Sequence, residues 1–409
     1  MIINADLHIH SRFSAATSDK MTIKNISLEA PRKGINVMAT GDCLHSVWMK
    51  EIKECNVIDD GTFELNGTRF ILSTEVEDNH RVHHLLLFPC LSAVEYFKQK
   101  VSFKSKNIEK DGRPNINMGG DELAEYAKDV DILIGPAHAF TPWTALYAYH
   151  NSLEDCYKDR TDYISFVELG LSADTDLADK IQELHRLTFL TNSDCHSHHP
   201  VRLAREFNRF QVNDSTFNEI KKAILRQGGN KSVSNVGLPP QEGKYHESAC
   251  RYCYTHYTLE EAFRRKWKCG CGKPIKKGVK DRINERADFQ VTQHPDHRPP
   301  YIHLIPLAEI ITKAIGQRNP FTHTVTKRWN ELISAFVNEI NVLLDVDTND
   351  IARLTAPAIA EAIQAFRENK VIVHPGGGGQ YGRIELPTEE KEITVSLGPS
   401  DRQTSIFDY

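Results

Sequence analysis

Imidazoles and carboxylates recur in this chain at spacings that would let them share a metal ion. "DLHIHS" supplies His8 and His10, two residues apart. On a strand such a pair points the same way, so both rings can reach one ion. "TNSDCHS" repeats the spacing with Asp194 and His196. Between them lie Asp42 and His45 in "TGDCLH", Glu75 in "STEVED", His83 and His84 in "VHHLLLF", and His138 in "GPAHAF". His83 and His84 must face opposite sides of a strand. His84 is taken as the candidate because it stands directly before the apolar run. Imidazoles mixed with a few carboxylates suit Zn²⁺, Mn²⁺ or Fe²⁺ better than Mg²⁺ or Ca²⁺. Clustered ions of this kind bring bound water toward a neutral pKa and clamp the attacking and leaving oxygens of an in-line displacement. Phosphoesters, whose oxygens are anionic, most need such a clamp. The set exceeds what one four-coordinate ion requires, and Glu75 is placed to bridge two.

Such residues act together only if the fold gathers them. The first 230 or so residues alternate short apolar runs ("MIINADL", "INVMAT", "RFILSTE", "HLLLF", "DILIGPAH", "ISFVELG", "LTFLTNSD") with amphipathic stretches such as "DELAEYAKD" and "STFNEIKKAILRQ". That alternation predicts α/β units and a mostly parallel sheet or barrel. Nearly every apolar run ends on a candidate, which is where a (β/α) barrel keeps its active site. The expected barrel covers residues 1–232, with a linker at 233–245 read from its Gly, Ser, Asn and Pro content.

A second cluster follows in residues 246–290. Cys250 and Cys253 in "CRYC", with Cys269 and Cys271 in "KCGCGK", have the spacing of a zinc ribbon holding one structural Zn²⁺. His256 is a substitute ligand. From Arg251 to Arg286 there are eleven Lys or Arg against four acids, with Trp267 and three tyrosines among them. A basic, aromatic ribbon reads as a nucleic-acid platform, and Lys276, Lys277 and Arg282 are its candidate DNA contacts. The whole chain, 409 residues with a net charge of −5, carries no such bias, so the charge is local. Nine cysteines is an odd number without small-domain disulfide spacing. With no basic-then-apolar leader and no apolar run long enough to span a membrane, a reducing cytoplasm is expected.

Residues 291–387 read as a mostly helical domain, with helices in "RWNELISAFVNEINVLL" and "APAIAEAIQAFRE". "PGGGGQYG" lacks the GK[ST] ending of a nucleotide-binding loop. Its glycines would let backbone approach a phosphate, a base or another segment of the chain. Residues 388–409 form a polar tail that ends in "QTSIFDY". Gln403, Ile406 and Phe407 fit the Q-x-x-[LI]-F pattern of sliding-clamp-binding peptides.

DLHIHS, the TGD turn, TEVE, the H-LLLF strand, PAH and SDCH resemble, in order, the motifs of the PHP (polymerase and histidinol phosphatase) superfamily. The resemblance implies a distorted (β/α)7 barrel that hydrolyses phosphoesters with two to three divalent ions (Zn, Mn, Mg or Fe). Carried over, the ligands are His8, His10, Asp42, Glu75, His84, His138, Asp194 and His196, with Asp194, His196 and Glu75 closest to the chemistry. Asp42 stands where many members have His. The Asp that usually follows the HxH pair has only Asp19, later than expected, as its counterpart. With the ribbon, "GVKDRI", "HRPPYIHLIPLAEII" and "GGGGQYG" added, the chain resembles the branch that contains endonuclease Q. That implies a DNA repair endonuclease cutting 5′ to uracil, hypoxanthine, xanthine or an abasic site. Deaminated bases pair weakly and are cheaper to extrude. Phe140 and Trp143 are then candidate wedge or pocket aromatics, or core. Arg12, Arg202 and Arg205 are candidate phosphate contacts, and Glu168 a substrate contact or a support for a ligand. The competing readings are a small phosphate monoesterase, which would gain nothing from a basic ribbon, and a non-catalytic DNA-binding protein, which would not need an intact ligand set.

Overall fold

The computed structural model describes residues 1–387. Its strands in chain order are β1 (Ile2–Asp6), β2 (Val37–Ala39), β3 (Asn56–Asp59), β4 (Thr62–Leu65), β5 (Thr68–Ile71), β6 (Ser73–Glu77), β7 (His83–Leu87), β8 (Leu133–Pro136), β9 (Phe166–Glu168), β10 (Thr188–Leu190), β11 (Phe207–Gln211) and β12 (Lys231–Gly237). β1, β2 and β5 pair in parallel, and β5 runs straight on into β6. β7 lies antiparallel between β6 and β8. Ser165 N–H donates to Ile134 O, linking β8 to β9, and β9 pairs in parallel with β10. The chain leaving β10 returns to the segment after β1. Asp194 N–H donates to His8 O at 3.0 Å and His10 N–H to Cys195 O at 3.1 Å. The result is a distorted (β/α) ring of seven strand positions, with one strand reversed.

Apolar side chains fill the ring: Ile3, Ala5, Leu7, Val37, Ile71, Leu85, Leu87, Leu133, Phe166 and Leu190 form one buried cluster. Phe217, Ile220 and Ile224 on the helix Phe217–Leu225 belong to the same cluster and plug one end. Period-2 alternation therefore decides which residue of β7 looks inward. Leu85 and Leu87 are inside, so His83 is too, whereas His84 shares the outer face with Leu86.

Two expectations need correcting. The sheet is mixed rather than mostly parallel, because β11 and β12 pair antiparallel with β1 and with each other, and β3–β5 form a meander. The stretch expected to be a linker begins as sheet. β12 runs through Gly237 across the 232/233 boundary, and its far edge pairs in parallel with β15 (Tyr301–His303), beyond β13 (Ala249–Cys250) and β14 (Ile275–Lys276) of the ribbon. Gly, Ser and Asn in "KSVSNVG" read as loop residues, but Asn235 is buried and donates to Phe189 O at 3.0 Å, so tertiary pairing overrides composition.

The ribbon is a small body around the β13–β14 hairpin, with only Cys250, Ala262, Cys269 and Ile275 as its buried core. The glycine run lies against it. Gly378 has φ +67°, and a Cβ there would overlap the carbonyl of Cys250. Gly377 bridges Glu247, and Gly376 N–H donates to Gln241 O at 2.8 Å. Of the open readings of that run, the structure selects contact with another segment. The C-terminal part is mostly helical, with helices Leu307–Ala314, His323–Ala335, Thr348–Leu354 and Pro357–Arg367, but the helix expected through "RWNELISAFVNEINVLL" ends at Ala335, just before Val337 takes φ +76°.

A buried ion pair joins this part to the ring. Lys33, at the end of helix Ile23–Lys33, donates to Glu339 Oε1 at 2.5 Å and to Pro200 O at 2.8 Å, and both charged residues are 1% exposed. Glu339 also accepts from Trp329 Nε1 at 2.6 Å and from Leu307 N–H at 3.1 Å. Removing one partner strands the other charge. Lys33→Met should therefore cost about 3–5 kcal/mol of stability, read as a lower midpoint in denaturant unfolding. A wild-type midpoint would mean that water reaches Glu339 in the folded protein.

Candidate metal centre

The mouth of the ring gathers His8, His10, Glu75, His83, His138, Asp194 and His196. Glu75, fully buried on β6, is the hub. Its Oε1 lies 2.8 Å from His83 Nδ1 and 2.9 Å from His138 Nε2. Its Oε2 lies 3.4 Å from His10 Nε2 and 3.3 Å from Arg113 NH1. Burial alone would raise its carboxyl pKa, but the imidazoles of His83 and His8 overcome that and hold it well below the usual carboxylate range.

The second focus is Asp194 Oδ1. His10 Nε2 is 3.1 Å away, and the Nε2 atoms of His8 and His196 are each 3.7 Å away. Asp194 Oδ1, His8 Nε2 and His10 Nε2 are buried without a hydrogen-bond partner. Each such atom costs about 1–3 kcal/mol if nothing meets it. Lone pairs of two imidazoles and a carboxylate that converge on one point suit a divalent cation, so the donor set fits the ions inferred from the sequence. The electrostatics agree. Burial by itself drives the His8 imidazole down, yet Glu168, Asp194 and Glu75 together lift it to about 9. The site attracts positive charge that metal ions would satisfy instead of protons. His196, by contrast, is pushed down to about 4, first by burial and then by His10, and so is neutral as a ligand must be.

Further groups hold these ligands in place. Glu168 straddles His8 Nδ1 with both oxygens at 3.0 Å and accepts from His138 N–H at 2.7 Å. It is wholly buried, so it orients a ligand and does not meet substrate. Thr17 Oγ1 lies 2.6 Å from His196 Nδ1. Asp42, His138 and Asp194 have φ of +47°, +30° and +46°, a region L-residues adopt at a cost of about 1–3 kcal/mol each. Of these three, His138 and Asp194 stand at the mouth and Asp42 lies directly behind His10.

Three sequence assignments change. Asp42 is not at the mouth. Its Oδ1 faces His10 Nδ1 at 3.1 Å, and its Oδ2 accepts from Ser11 N–H, Ser11 Oγ and Ser14 Oγ, so it supports His10 rather than facing the ions. His83 replaces His84. The reversed direction of β7 puts the start of the strand, not its end, at the mouth, and the inward register belongs to the odd residues. His84 lies in a separate buried group with Asp78 and Cys156, both ring nitrogens satisfied by Asp78 Oδ2 (3.3 Å) and Tyr157 (2.8 Å). His45 caps the helix Ser46–Lys53 and stacks on Phe13 at 4.3 Å. Sequence reasoning missed Arg113 altogether, since "KDGRPN" looks like an ordinary turn.

Among the proposed DNA contacts, Trp143 is 43% exposed, edge-on to Tyr245 at 4.9 Å, with the Lys276 ammonium 4.7 Å from its ring centroid. That contact joins the ribbon to the loop that follows His138. Phe140 is core, stacked on Tyr147 at 5.1 Å. Arg12 is paired with Glu51 at 2.5 Å and Lys277 with Glu285 at 2.6 Å, while Arg282 is half-buried. In the ribbon the four cysteine sulfurs lie within 4.8 Å of one another, with Cys250–Cys271 at 3.6 Å and Cys253–Cys269 at 3.4 Å. Zn–S bonds of about 2.3 Å in a tetrahedron place sulfurs about 3.8 Å apart, so the four fit one zinc. Tyr257 Oη is 3.0 Å from Cys269 Sγ, whereas His256 turns away to Glu247 at 3.0 Å and is no substitute ligand. Gln403, Ile406 and Phe407 lie outside the described residues.

Residues 306–370 match the family model of the MJ0043 C-terminal domain. The chain is 48% identical over 261 residues to the uncharacterized protein MJ0043 of Methanocaldococcus jannaschii, covering 62% of this chain and 32% of that one. It therefore spans about a third of that relative. It is 33% identical over 406 residues to the uncharacterized protein YqxK of Bacillus subtilis, covering 94% and 99%. The crystal structure of the lesion-specific endonuclease PfuEndoQ from Pyrococcus furiosus superposes with a TM-score of 0.92 at 51% identity, over 97% of this chain and 100% of that one. A structure of Endonuclease Q in complex with a 27-mer duplex substrate, an abasic lesion at its active site, gives 0.89 at 52%, over 95% and 98%.

Elemental analysis separates the assignments. His83→Ala should lower the metal content of the barrel. His84→Ala should leave the content unchanged and lower stability alone. Cys253→Ser should lose about one zinc per chain. Equal metal loss in both histidine variants would restore His84 to the site.

Proposed function

The chain belongs to the endonuclease Q family, and from that premise we propose that it is a metal-dependent DNA repair endonuclease. Its barrel hydrolyses the phosphodiester on the 5′ side of a deaminated base (uracil, hypoxanthine, xanthine) or an abasic site. The observation that carries this reading is the convergence of unpartnered, buried His8 Nε2, His10 Nε2 and Asp194 Oδ1 at the mouth of the barrel, in a chain that superposes end to end on a lesion-specific endonuclease.

His8, His10, Asp194 and His196 would hold one side of the centre, and His83 and His138 the other, with Glu75 facing both. Two to three divalent ions, when bound, supply a water of lowered pKa and a clamp on the phosphate oxygens. The protein's own work is orientation. Glu168 and Asp42 fix the rings of His8 and His10 through their Nδ1 atoms, which directs the Nε2 lone pairs into the mouth. A deaminated base pairs weakly, so extruding it costs less than extruding a normal one. Trp143, exposed on the loop after His138 and backed by Lys276 of the ribbon, would stack on a base near the break. The ribbon would contribute phosphate contacts whose strength falls with salt, from Lys276, from Lys277 once DNA draws it from Glu285, and from the half-buried Arg282. A monoesterase would use neither the ribbon nor the C-terminal helices. Among the described residues no helix is long and apolar enough to cross a membrane, and none of the nine cysteines is in a disulfide. Cysteines outside disulfides and a zinc ribbon fit a reducing cytoplasm.

The decisive assay uses labelled duplexes carrying uracil, hypoxanthine, an abasic site or no lesion, with Mn²⁺, Mg²⁺ or Zn²⁺, beside a chromogenic phosphate monoester. We expect nicks 5′ to the lesions only, and Asp194→Asn should abolish them without unfolding the chain. Turnover of the monoester without nicking would replace this reading with a phosphatase.

Gln403, Ile406 and Phe407 give a second partner, a sliding clamp that would hold the enzyme on replicated DNA. Its support is the sequence pattern alone. Deleting residues 403–409 should abolish clamp binding in a titration while oligonucleotide nicking persists. Unchanged clamp affinity would dismiss the tether.

A further inference from the structure

The mouth holds one permanent cation that the metal-ligand reading leaves without a task. Arg113 sits on the segment between Ser105 and Asn117, which is tied down on both sides. Glu77 N–H donates to Pro114 O at 3.0 Å, Arg113 N–H to Asp111 Oδ1 at 3.1 Å, and Gly112 N–H to Phe13 O at 3.0 Å. A Cβ at position 112 would overlap Asp42 Oδ2 and Ser14 Oγ, so a larger residue there would have to displace the support of His10. The chain is thus pressed against the support of His10 in order to present the next side chain. That side chain reaches Glu75 Oε2 with NH1 at 3.3 Å and keeps 28% of its surface open at the mouth. A guanidinium has five N–H donors. Among the described residues this long contact is the one side-chain hydrogen bond Arg113 makes.

A fixed cation beside a cluster of divalent ions is repelled unless an anion lies between them. The anionic neighbours of Arg113, Glu75 and Asp194, are the residues that would be neutralised by metal. With ions held by Glu75 and Asp194, the guanidinium would be left to face whatever anion enters. A planar fork suits two oxygens of one phosphate.

We propose that Arg113 is a catalytic residue that binds a non-bridging oxygen of the scissile phosphate and stabilises the charge developing there as the water oxygen bonds to phosphorus and the P–O bond to the leaving sugar oxygen breaks, that oxygen leaving with the proton the attacking water gives up. The inference rests on the phosphodiesterase reading of the site. Fixed donors aimed at developing charge are typically worth about 10²–10³-fold in kcat.

The test measures wild type, Arg113→Ala and Arg113→Lys on an abasic-site duplex and on bis(p-nitrophenyl) phosphate, a diester that needs no lesion recognition. Arg113→Ala should lose about 10²–10³-fold in kcat on both substrates, with metal content unchanged by elemental analysis and duplex affinity within about threefold. Added guanidinium ion should restore at least tenfold of the Arg113→Ala loss, while urea at the same concentration restores none. Arg113→Lys should fall between, since it keeps charge without the fork. Wild-type kcat in Arg113→Ala, metal loss parallel to the activity loss, or no rescue by guanidinium would each overturn the proposal. If wild type leaves the duplex intact but cleaves the small diester, the lesion reading fails and the role of Arg113 is still decided on the diester.

Discussion

Burying Glu75 constrains the rest of the site. A carboxylate without water needs compensation, and β6 places this one where no solvent reaches it. Around it stand His83, His138, His10 and Arg113, drawn from β7, from the segments after β8 and β1, and from the Ser105–Asn117 segment. Each donor comes from a different part of the chain, so the barrel has to close before the charge is met. The ring and the ligand set thus depend on each other. The positive φ of Asp42, His138 and Asp194 shows where backbone comfort yields to that requirement.

Asp42 and Glu168 show how the same residue types serve different ends. Both are buried carboxylates, as Glu75 is, yet each spends its oxygens on the Nδ1 atom of one histidine and on neighbouring N–H or O–H donors. Only Glu75 and Asp194 face the converging Nε2 atoms. The distinction is geometric: a carboxylate already filled by its own chain has little left for an ion.

How much was legible follows the same logic. The HxH and DxH spacings and the strand-end placement identified most of the centre, because i, i+2 pairs keep their meaning in any sheet. The CxxC and CxC pairs identified the ribbon for a similar local reason. His83 was passed over because the choice turned on the direction of one strand, which only pairing with β6 and β8 reveals. Had Leu85 and Leu87 been recognised as lining the barrel, odd parity would have selected it. Arg113 left no local signal, since nothing in a Gly-Arg-Pro turn says what lies opposite. β12 was hidden by composition: Ser and Asn in a strand look like loop until their buried partners are known.

The pairing of β15 with β12 has a consequence in time as well as in space. Until residues 301–303 arrive, β12 is an edge strand with its hydrogen-bonding groups unmet. About sixty residues of ribbon and connector are made between the two strands, which at cellular rates of synthesis takes about 3–13 seconds. During that interval the growing barrel carries an open, pairing-competent border that can recruit another nascent chain. Its ribbon also lacks the glycine loop that later lies across Cys250. The C-terminal segments therefore act as the seal that ends this exposure.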